Sequence, residues 1–211
     1  MKTRLFILLA ALSFLAATLI AQEKTTLVIP EGGVLINGVV WATCNVAAPG
    51  TFAASPEDAG MFYQWNRKIG WSTTDPMVNS DDGTTWDNTL PAGTTWEKSN
   101  DPSPSGWRVP TTEEQRKLLD TDKVTSEWVI HNGVTGRKFT DNISGASIFL
   151  PAVGFRLDND GTFYNVGSGG NYWSSMQYGN SYAYSMFFRS GGAYGDWSNR
   201  GNAFSVRPVV K

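Results

Sequence analysis

Few side chains in this sequence could perform nucleophilic or metal chemistry. The 211 residues include one histidine, His131, and one cysteine, Cys44. His131 lies in VIHNGVTG, between an apolar run and a turn, and no neighbouring motif supports a Ser-His-Asp site that would use it. We therefore expect a surface turn residue at His131, a small buried apolar residue at Cys44, no catalytic residue and no zinc site.

Carboxylates form two local clusters, one at Asp81-Asp82-Asp87 and one at Asp158-Asp160. Neither cluster has EF-hand spacing, and Asp158-Asn159-Asp160-Gly161 has the composition of a tight turn. The sequence therefore predicts no bound metal and no cofactor. A carboxylate-dependent hydrolase is one alternative, because the sequence does not reveal distances between carboxylates. It predicts two carboxylates about 5–10 Å apart in a cleft.

The N-terminal residues resemble an export signal. Lys2 and Arg4 precede an apolar run from Leu5 to Ile20, and Ala21 follows it. This pattern predicts a signal peptide over 1–21, a segment over 22–33 and one domain over 34–211. We expect the protein to be secreted or at the cell surface, and peripheral at most to a membrane.

The charge and composition of the chain exclude one class of binding partner. Without Lys2 and Arg4, 15 of the 17 basic residues remain against 19 acidic ones, for a net charge of −4. Because there is no basic block, nucleic acid is not an expected partner. Nine tryptophans and 22 glycines favour a compact β protein with many loops. A single cysteine leaves no internal disulfide.

Short sequence motifs predict the positions of individual strands, turns and helices. Asn37-Gly38 between β-branched runs predicts a hairpin. The stretch VPTTEEQRKLLDTD predicts a helix that Thr111 or Thr112 caps. Residues 70–106 predict a long loop fixed by tryptophans, and the chain from Ser126 onward reads as strands and turns. The predicted fold class is α+β, a single domain of mainly antiparallel strands with one or two short helices and long loops.

The stretch YAYSMFFRSGGAYGDWSNRGNAFSVRPV, residues 182–209, carries the candidate site. Alternation puts Tyr184, Met186 and Phe188 on one side of a strand, as expected of a core face. Ser185, Phe187 and Arg189 then share the other side. The residue types on this second side and after it are those of binding surfaces. The candidate ligand-binding residues are Asn180, Tyr182, Ser185, Phe187, Arg189, Tyr194, Asp196 and Trp197.

Four segments occur in an order that resembles a known family. They are INGVVWATCNVAAPGTFAASPEDAGMFYQWNR, NDPSPSGWRVPTTEEQRKLL, FLPAVGFRLDNDGTFYNVGSGGNYWSS and GNAFSVRPV. Together they resemble the FISUMP (major paralogous domain) family of secreted bacterial proteins, which is similar to C-type-lectin-like folds. That fold is also used by variable proteins of diversity-generating retroelements. In their pattern, the candidate residues from Ser185 to Trp197 stand where mutable asparagines occur.

The resemblance has limits. Family members often carry a cysteine at the position of Ser103, and for them the resemblance implies a bridge to the position of Cys44. This chain lacks that partner, so Cys44 is expected to be free. Formylglycine-generating enzymes share the fold but need a late thiol pair, which is missing here. We therefore expect no enzyme activity from this resemblance.

The predicted function is a secreted, non-enzymatic ligand-binding protein whose surface lies on the C-terminal strands and loops. The resemblance implies that a retroelement diversifies this surface. The ligand is an unidentified protein or glycan. A second alternative is a structural or tip component of a bacterial surface assembly, with residues 25–29 as a strand for exchange.

Overall fold

The computed structural model describes residues 28–211. The predicted signal peptide and residues 22–27 of the N-terminal segment lie outside this range. Within it, the chain forms fifteen strands and one helix. In chain order these are β1 (Gly33–Ile36), β2 (Val39–Ala42), β3 (Phe62–Gln64), β4 (Gly70–Trp71), β5 (Trp107–Arg108), α1 (Thr112–Leu118), β6 (Val124–His131), β7 (Val134–Asp141), β8 (Ser147–Pro151), β9 (Phe155–Arg156), β10 (Phe163–Tyr164), β11 (Gly169–Tyr178), β12 (Tyr182–Arg189), β13 (Gly192–Asn199), β14 (Ala203–Phe204) and β15 (Val209–Val210).

The predicted α+β class is wrong. In the described residues the fold is almost entirely antiparallel β, and its one helix has seven residues. The helix is short because a turn begins directly after it, where the Lys123 and Val124 amides donate to the Asp120 carbonyl. Two turns of helix cannot form a layer of their own against a sheet. Among residues 28–211, no helix has the length and apolar character needed to cross a bilayer.

The strands form four sheets. The first has the order β1-β2-β15-β5, and the second has the order β10-β9-β14-β3-β4. β6-β7-β8 form a third sheet, and β11-β12-β13 form a fourth, here called the C-terminal sheet. Because β14 and β15 join the second and first sheets, the last residues of the chain connect segments that are distant in sequence.

Two local predictions are confirmed. Asn37 and Gly38 have φ angles of 43° and 76°, and they connect β1 to β2 in a hairpin. Such left-handed angles at both turn positions match the twist of the strands, which is why Asn-Gly is favoured there. Thr111 caps α1 in a capping box with Glu114, which also pairs with Arg108 through two hydrogen bonds of 2.6 and 2.8 Å.

The core has two large clusters on opposite sides of the C-terminal sheet. Met186 and Phe188 belong to the first cluster, together with Leu118 of α1 and side chains of the β6-β7-β8 sheet. Trp173 and Ala183 belong to the second cluster, which also contains Trp65, Trp96 and Phe204. The C-terminal sheet is therefore buried on both faces in its middle, unlike a sheet with one face in water.

Tryptophans fix the long loop between β4 and β5, as predicted. Trp71 and Trp86 have ring centroids 4.7 Å apart, and the Trp86 indole donates to the Asp158 carbonyl. Trp96 lies against Trp65, with centroids 6.1 Å apart. Each indole combines a large apolar area with one donor, so it can anchor irregular backbone to the core.

Buried arginines bind backbone carbonyls near the chain terminus. Arg207 is fully buried, and it donates to Asn45 Oδ1 and to the carbonyls of Ala42 and Thr43. Arg108 pairs with the Glu114 carboxylate, as described above. Their hydrogen bonds link the last strand to the first hairpin and to the entry of α1.

The Asp141 carboxylate joins two turns and generates a pH prediction. It accepts hydrogen bonds from the amides of Asn37, Ile143 and Ser144 at 2.8–2.9 Å. Those from Ser144, Asn37 and Ile143 lower its pKa from an ordinary 3.8 to about 2. A depressed pKa stabilises the folded state above the unfolded-state value, and this contribution is lost as pH falls through the folded value.

We expect the native chain to lose stability between about pH 4 and pH 2, and Asp141→Asn to show a shallower dependence over that window. The neutral amide keeps an acceptor but has no proton to bind. Urea unfolding of both chains at half-unit pH steps measures this. Equal slopes for the two proteins would contradict the assignment.

Candidate functional site

The strand register divides the candidate residues between two faces of the C-terminal sheet. Directly opposite residues of an antiparallel pair lie on the same face. Tyr184 pairs with Trp197, whereas Ser185 pairs with Asp196 and Phe187 with Tyr194. We call the face with Tyr184 and Trp197 the helix face, because α1 lies over it. The other is the opposite face.

The eight predicted binding residues therefore do not form one patch. Tyr182 and Trp197 lie on the helix face. Asn180 lies in the exposed turn between β11 and β12. The remaining five lie on the opposite face: Ser185, Phe187, Arg189, Tyr194 and Asp196.

Ser185 differs from the prediction most clearly. Ser185 is only 3% exposed, although the alternation of side chains predicts that it faces solvent. The reason is that the second core cluster covers the middle of the opposite face. Ser185 pairs with Trp173, which is stacked on Phe204 with ring centroids 4.2 Å apart. Sequence alternation reveals two faces but does not reveal that both are covered.

Four aromatic side chains on the helix face contact one another at the surface. We call this group the aromatic cluster, and it consists of Tyr178, Tyr182, Tyr184 and Trp197. Tyr178 is stacked on Trp197 with centroids 5.2 Å apart and an interplanar angle of 22°. Tyr182 meets Trp197 edge to face at 5.0 Å, and Tyr184 meets Tyr178 at 5.2 Å. Tyr178, Tyr182 and Trp197 are 40–48% exposed, so the cluster is a surface feature.

Two members of the cluster were missed by sequence reasoning. Tyr184 was assigned to the core because it alternates with Met186 and Phe188. It is half-buried, because the core ends at Met186. Tyr178 precedes the turn at Gly179, and its pairing with Tyr182 across that turn was the available signal.

A groove of about 410 Å³ lies beside the cluster, between α1 and strands β12 and β13. The lining side chains of α1 and its end are Thr112, Gln115, Arg116 and Leu119. The sheet contributes Tyr184, Ser185, Gly195, Asp196 and Trp197. Gly195 explains the space, because a Cβ built there would meet no heavy atom within 4 Å. A second hollow of about 370 Å³ lies along Tyr184, toward Met176.

Helix α1 is fixed firmly over the sheet. The buried Gln115 amide donates to the carbonyls of Tyr172 and Trp173 at 3.0 Å, and the Thr112 and Ser174 hydroxyls are 2.9 Å apart. Burial alone would raise the pKa of Glu114, but hydrogen bonds from Arg108 and Thr111 lower it overall. Glu114 therefore stays charged and holds the first turn of the helix. These contacts attach one wall of the groove to the sheet.

Arg200 fixes the strand ends that carry the aromatic cluster. Its guanidinium donates to the carbonyls of Tyr182, Gly179 and Gly93 at 2.8–3.0 Å and to Gln177 Oε1 at 3.1 Å. It also lies over the Trp65 ring, 4.4 Å from the centroid. Because three of these acceptors, on Gln177, Gly179 and Tyr182, flank the β11–β12 turn, Arg200 helps to hold Tyr178 and Tyr182 in position.

The opposite face offers less to a ligand. The Tyr194 hydroxyl donates to the Gly191 carbonyl at 3.2 Å, and Phe187 is half-buried near Gly169. Arg189 is exposed, and its carbonyl accepts a hydrogen bond of 2.8 Å from Arg137. These side chains adjoin no cavity comparable to the groove among the principal hollows of residues 28–211.

The other titratable groups lie elsewhere. His131 is half exposed and pairs with Glu57 at 2.9 Å, beside a separate hollow of about 290 Å³. Asp160 accepts from the Thr162 amide at 2.9 Å, as predicted for turn chemistry. Cys44 is free. Within residues 28–211, no three His, Cys, Asp or Glu side chains gather as metal ligands would.

Residues 131–209 match a family model described as a domain of unknown function (DUF8237). The matched segment runs from the end of β6 to the start of β15 and includes the aromatic cluster and Arg200. It does not include α1, which forms the other wall of the groove. No curated protein and no solved structure matches the chain.

The geometry predicts stability losses of different size for two aromatic residues. Trp197→Ala should lower the free energy of unfolding by only about 1 kcal/mol, because the ring has surface contacts alone. Phe188→Ala should lower it by about 3–5 kcal/mol, because the ring is fully buried between two core elements. Chemical denaturation of both variants measures the difference. A loss above 3 kcal/mol for Trp197→Ala would show that the aromatic cluster belongs to the core.

Proposed function

We propose that this chain is an exported, non-enzymatic ligand-binding protein. Its recognition surface is the aromatic cluster together with the adjoining groove beneath α1. The observation that carries this proposal is the exposure of Tyr178, Tyr182 and Trp197 in mutual contact at the edge of a 410 Å³ groove. Large contiguous apolar patches on a protein surface mark sites of interaction.

The chemistry of the surface suits recognition of a protein or a glycan. Tyrosine, tryptophan and arginine dominate binding energy at interfaces, because each offers a large area and a polar group. Among the lining residues of the groove, Arg116 adds a charged group beside the apolar side chains of Leu119 and Trp197. Since Arg200 and Gln115 hold both walls in place, binding would lose little conformational entropy. The net charge is negative, −2 over the full sequence, and gives no reason to propose a nucleic acid partner.

The groove gives no support to hydrolysis by paired carboxylates. Two carboxylates border its hollows, Glu113 and Asp196. Glu113 forms an ion pair with Arg116, and Asp196 accepts a hydrogen bond of 2.8 Å from the Trp197 amide. A general acid and base would instead need a free pair facing a common substrate position. A binding function therefore accounts for the side chains of the groove better than hydrolysis does.

Screening with defined probes tests the proposal. The mature chain is applied to a glycan array and to a random peptide library. The retained probes are then compared between the native protein, Trp197→Ala and Tyr164→Ala. Tyr164 is the control, because it is an exposed aromatic residue on β10 that lies outside the groove. We expect Trp197→Ala to weaken retained probes at least tenfold and Tyr164→Ala to leave them unchanged.

The outcome against the proposal is equally clear. If every probe retained by the native protein binds Trp197→Ala with the same affinity, the aromatic cluster is not a recognition surface.

We also propose membership of the FISUMP family and diversification of the C-terminal strands by a retroelement. In support, five of the six pattern positions between 185 and 197 are exposed or half-exposed, and Ser185 is the exception. The expected DNA sequence is a near-copy of the terminal coding segment just downstream, differing only at adenines. Differences that fall in the codons of Met186 or Phe188, or no such copy, would contradict diversification.

A further inference from the structure

Strand β13 is an edge of the C-terminal sheet. It pairs with β12 over eight consecutive residues, and no other strand joins its outer side. Beyond its ladder with β12, the backbone from Tyr194 to Ser198 makes no hydrogen bond to another backbone segment of residues 28–211. The Trp197 amide instead donates to the neighbouring Asp196 carboxylate at 2.8 Å. This bond is expected of an amide that points away from the partner strand.

This edge lacks most of the features that normally prevent strand pairing. Natural edge strands are short, carry lysine or proline, or contain bulges. The stretch from Tyr194 to Asn199 has none of these, and its register with β12 is unbroken. At about 3.3 Å per residue, six residues present roughly 20 Å of unpaired backbone. The single charged side chain is Asp196, which occupies one outward amide.

The groove adjoins this edge on the helix face. Gly195 lies between Trp197 and Ala193 along that face, so its missing side chain leaves a gap beside the free backbone. Leu119 and Trp197 give the gap apolar walls. A side chain of a strand added to β13 would enter this gap if it stood beside Gly195. The next side chain along that strand would project to the opposite face, beside Asp196.

We propose that β13 binds an extended polypeptide segment as a fourth strand of the C-terminal sheet. The bound segment places an apolar side chain in the groove beside Gly195 and a lysine or arginine next to it, facing Asp196. This inference rests on the proposed binding function and names its ligand class. Backbone hydrogen bonds supply affinity, and the two neighbouring positions supply selectivity.

Charge complementarity favours such a segment over a second copy of this chain. Two β13 strands side by side would bring two Asp196 carboxylates to one edge, and the stretch from Tyr194 to Asn199 has no cation to compensate them. Like charges across a strand pair are destabilising. A bound peptide with a lysine or arginine would instead place one cation beside the Asp196 carboxylate.

The probe is a labelled, acetylated octapeptide that alternates valine or leucine with lysine, and its binding is measured by fluorescence polarisation with the mature chain. Two further peptides carry N-methyl groups on alternate residues, one on the odd set and one on the even set. Only one set of amides faces β13 in a strand pair. We expect one methylated peptide to bind at least tenfold more weakly and the other to bind like the parent.

Two glycine variants provide a matched test on the protein side. Gly195 and Gly191 both lack left-handed φ angles, and a Cβ at either would meet no heavy atom within 4 Å. Gly195→Val fills the gap, so it should weaken the peptide at least tenfold. Gly191→Val lies in the turn before β13 and should leave binding unchanged. Asp196→Asn should weaken binding a few-fold at low salt and reduce its salt dependence.

Three outcomes would overturn strand addition. The first is equal binding of both methylated peptides, which indicates recognition by side chains alone. The second is absence of octapeptide binding to the native chain. The third is a dimer in sedimentation experiments that Gly195→Val dissociates, which assigns the edge to a second copy. In any of these cases, a glycan or peptide that binds the native protein and fails to bind Trp197→Ala would support the proposed binding function, even though strand addition is overturned.

Discussion

Arg200 holds together the part of the chain on which the candidate site depends. It is a buried cation that has no carboxylate partner among residues 28–211, and its charge is solvated by three carbonyls, an amide oxygen and the Trp65 ring. Burial lowers its pKa, so the guanidinium charge is held at a desolvation cost. The benefit is geometric, because a planar guanidinium with five donors can fix a turn, a strand end and a distant loop at once. Without that fixation, the hydrogen bonds flanking the β11–β12 turn would be lost and the exposed rings on it would move.

The C-terminal sheet has a centre that is buried on both faces and an outer strand that is unpaired on one side. Its middle is covered on one face by α1 and the β6-β7-β8 sheet and on the other by Trp65, Phe204 and their neighbours. Near the β11–β12 turn, the aromatic side chains of the helix face are exposed to solvent. At β13, the backbone has no partner strand on its outer side. Gly195 stands between these features, and its lack of a side chain gives them access to a common groove. A preorganised surface with unused hydrogen-bonding groups is the physical basis of both proposals.

Local features of the fold were predictable because they depend on neighbouring residues. The Asn37-Gly38 turn, the capping box of Thr111 with Glu114, and the tryptophan-fixed loop all follow from local conformational preference or side-chain size. The fold class was not predictable to the same degree. The helical pattern predicts α1 correctly, but a helix of seven residues does not make a layer, so the pattern does not predict the fold class. At the site, alternation separated Met186 and Phe188 from Phe187, but it could not show that Ser185 is covered or that Tyr184 lies beyond the core.

The sequence by itself determined which residues share a side of each C-terminal strand, since side-chain direction in a strand has a period of two. It also determined that this region is rich in the residue types used for recognition. Only the tertiary structure decided which of those sides faces water and which residues meet. Tyr178 and Trp197 are nineteen positions apart in sequence and become stacked through the register of three strands. The groove likewise needs α1, more than seventy residues before Gly195, because a cavity is a property of surfaces brought together by packing and not of any one segment.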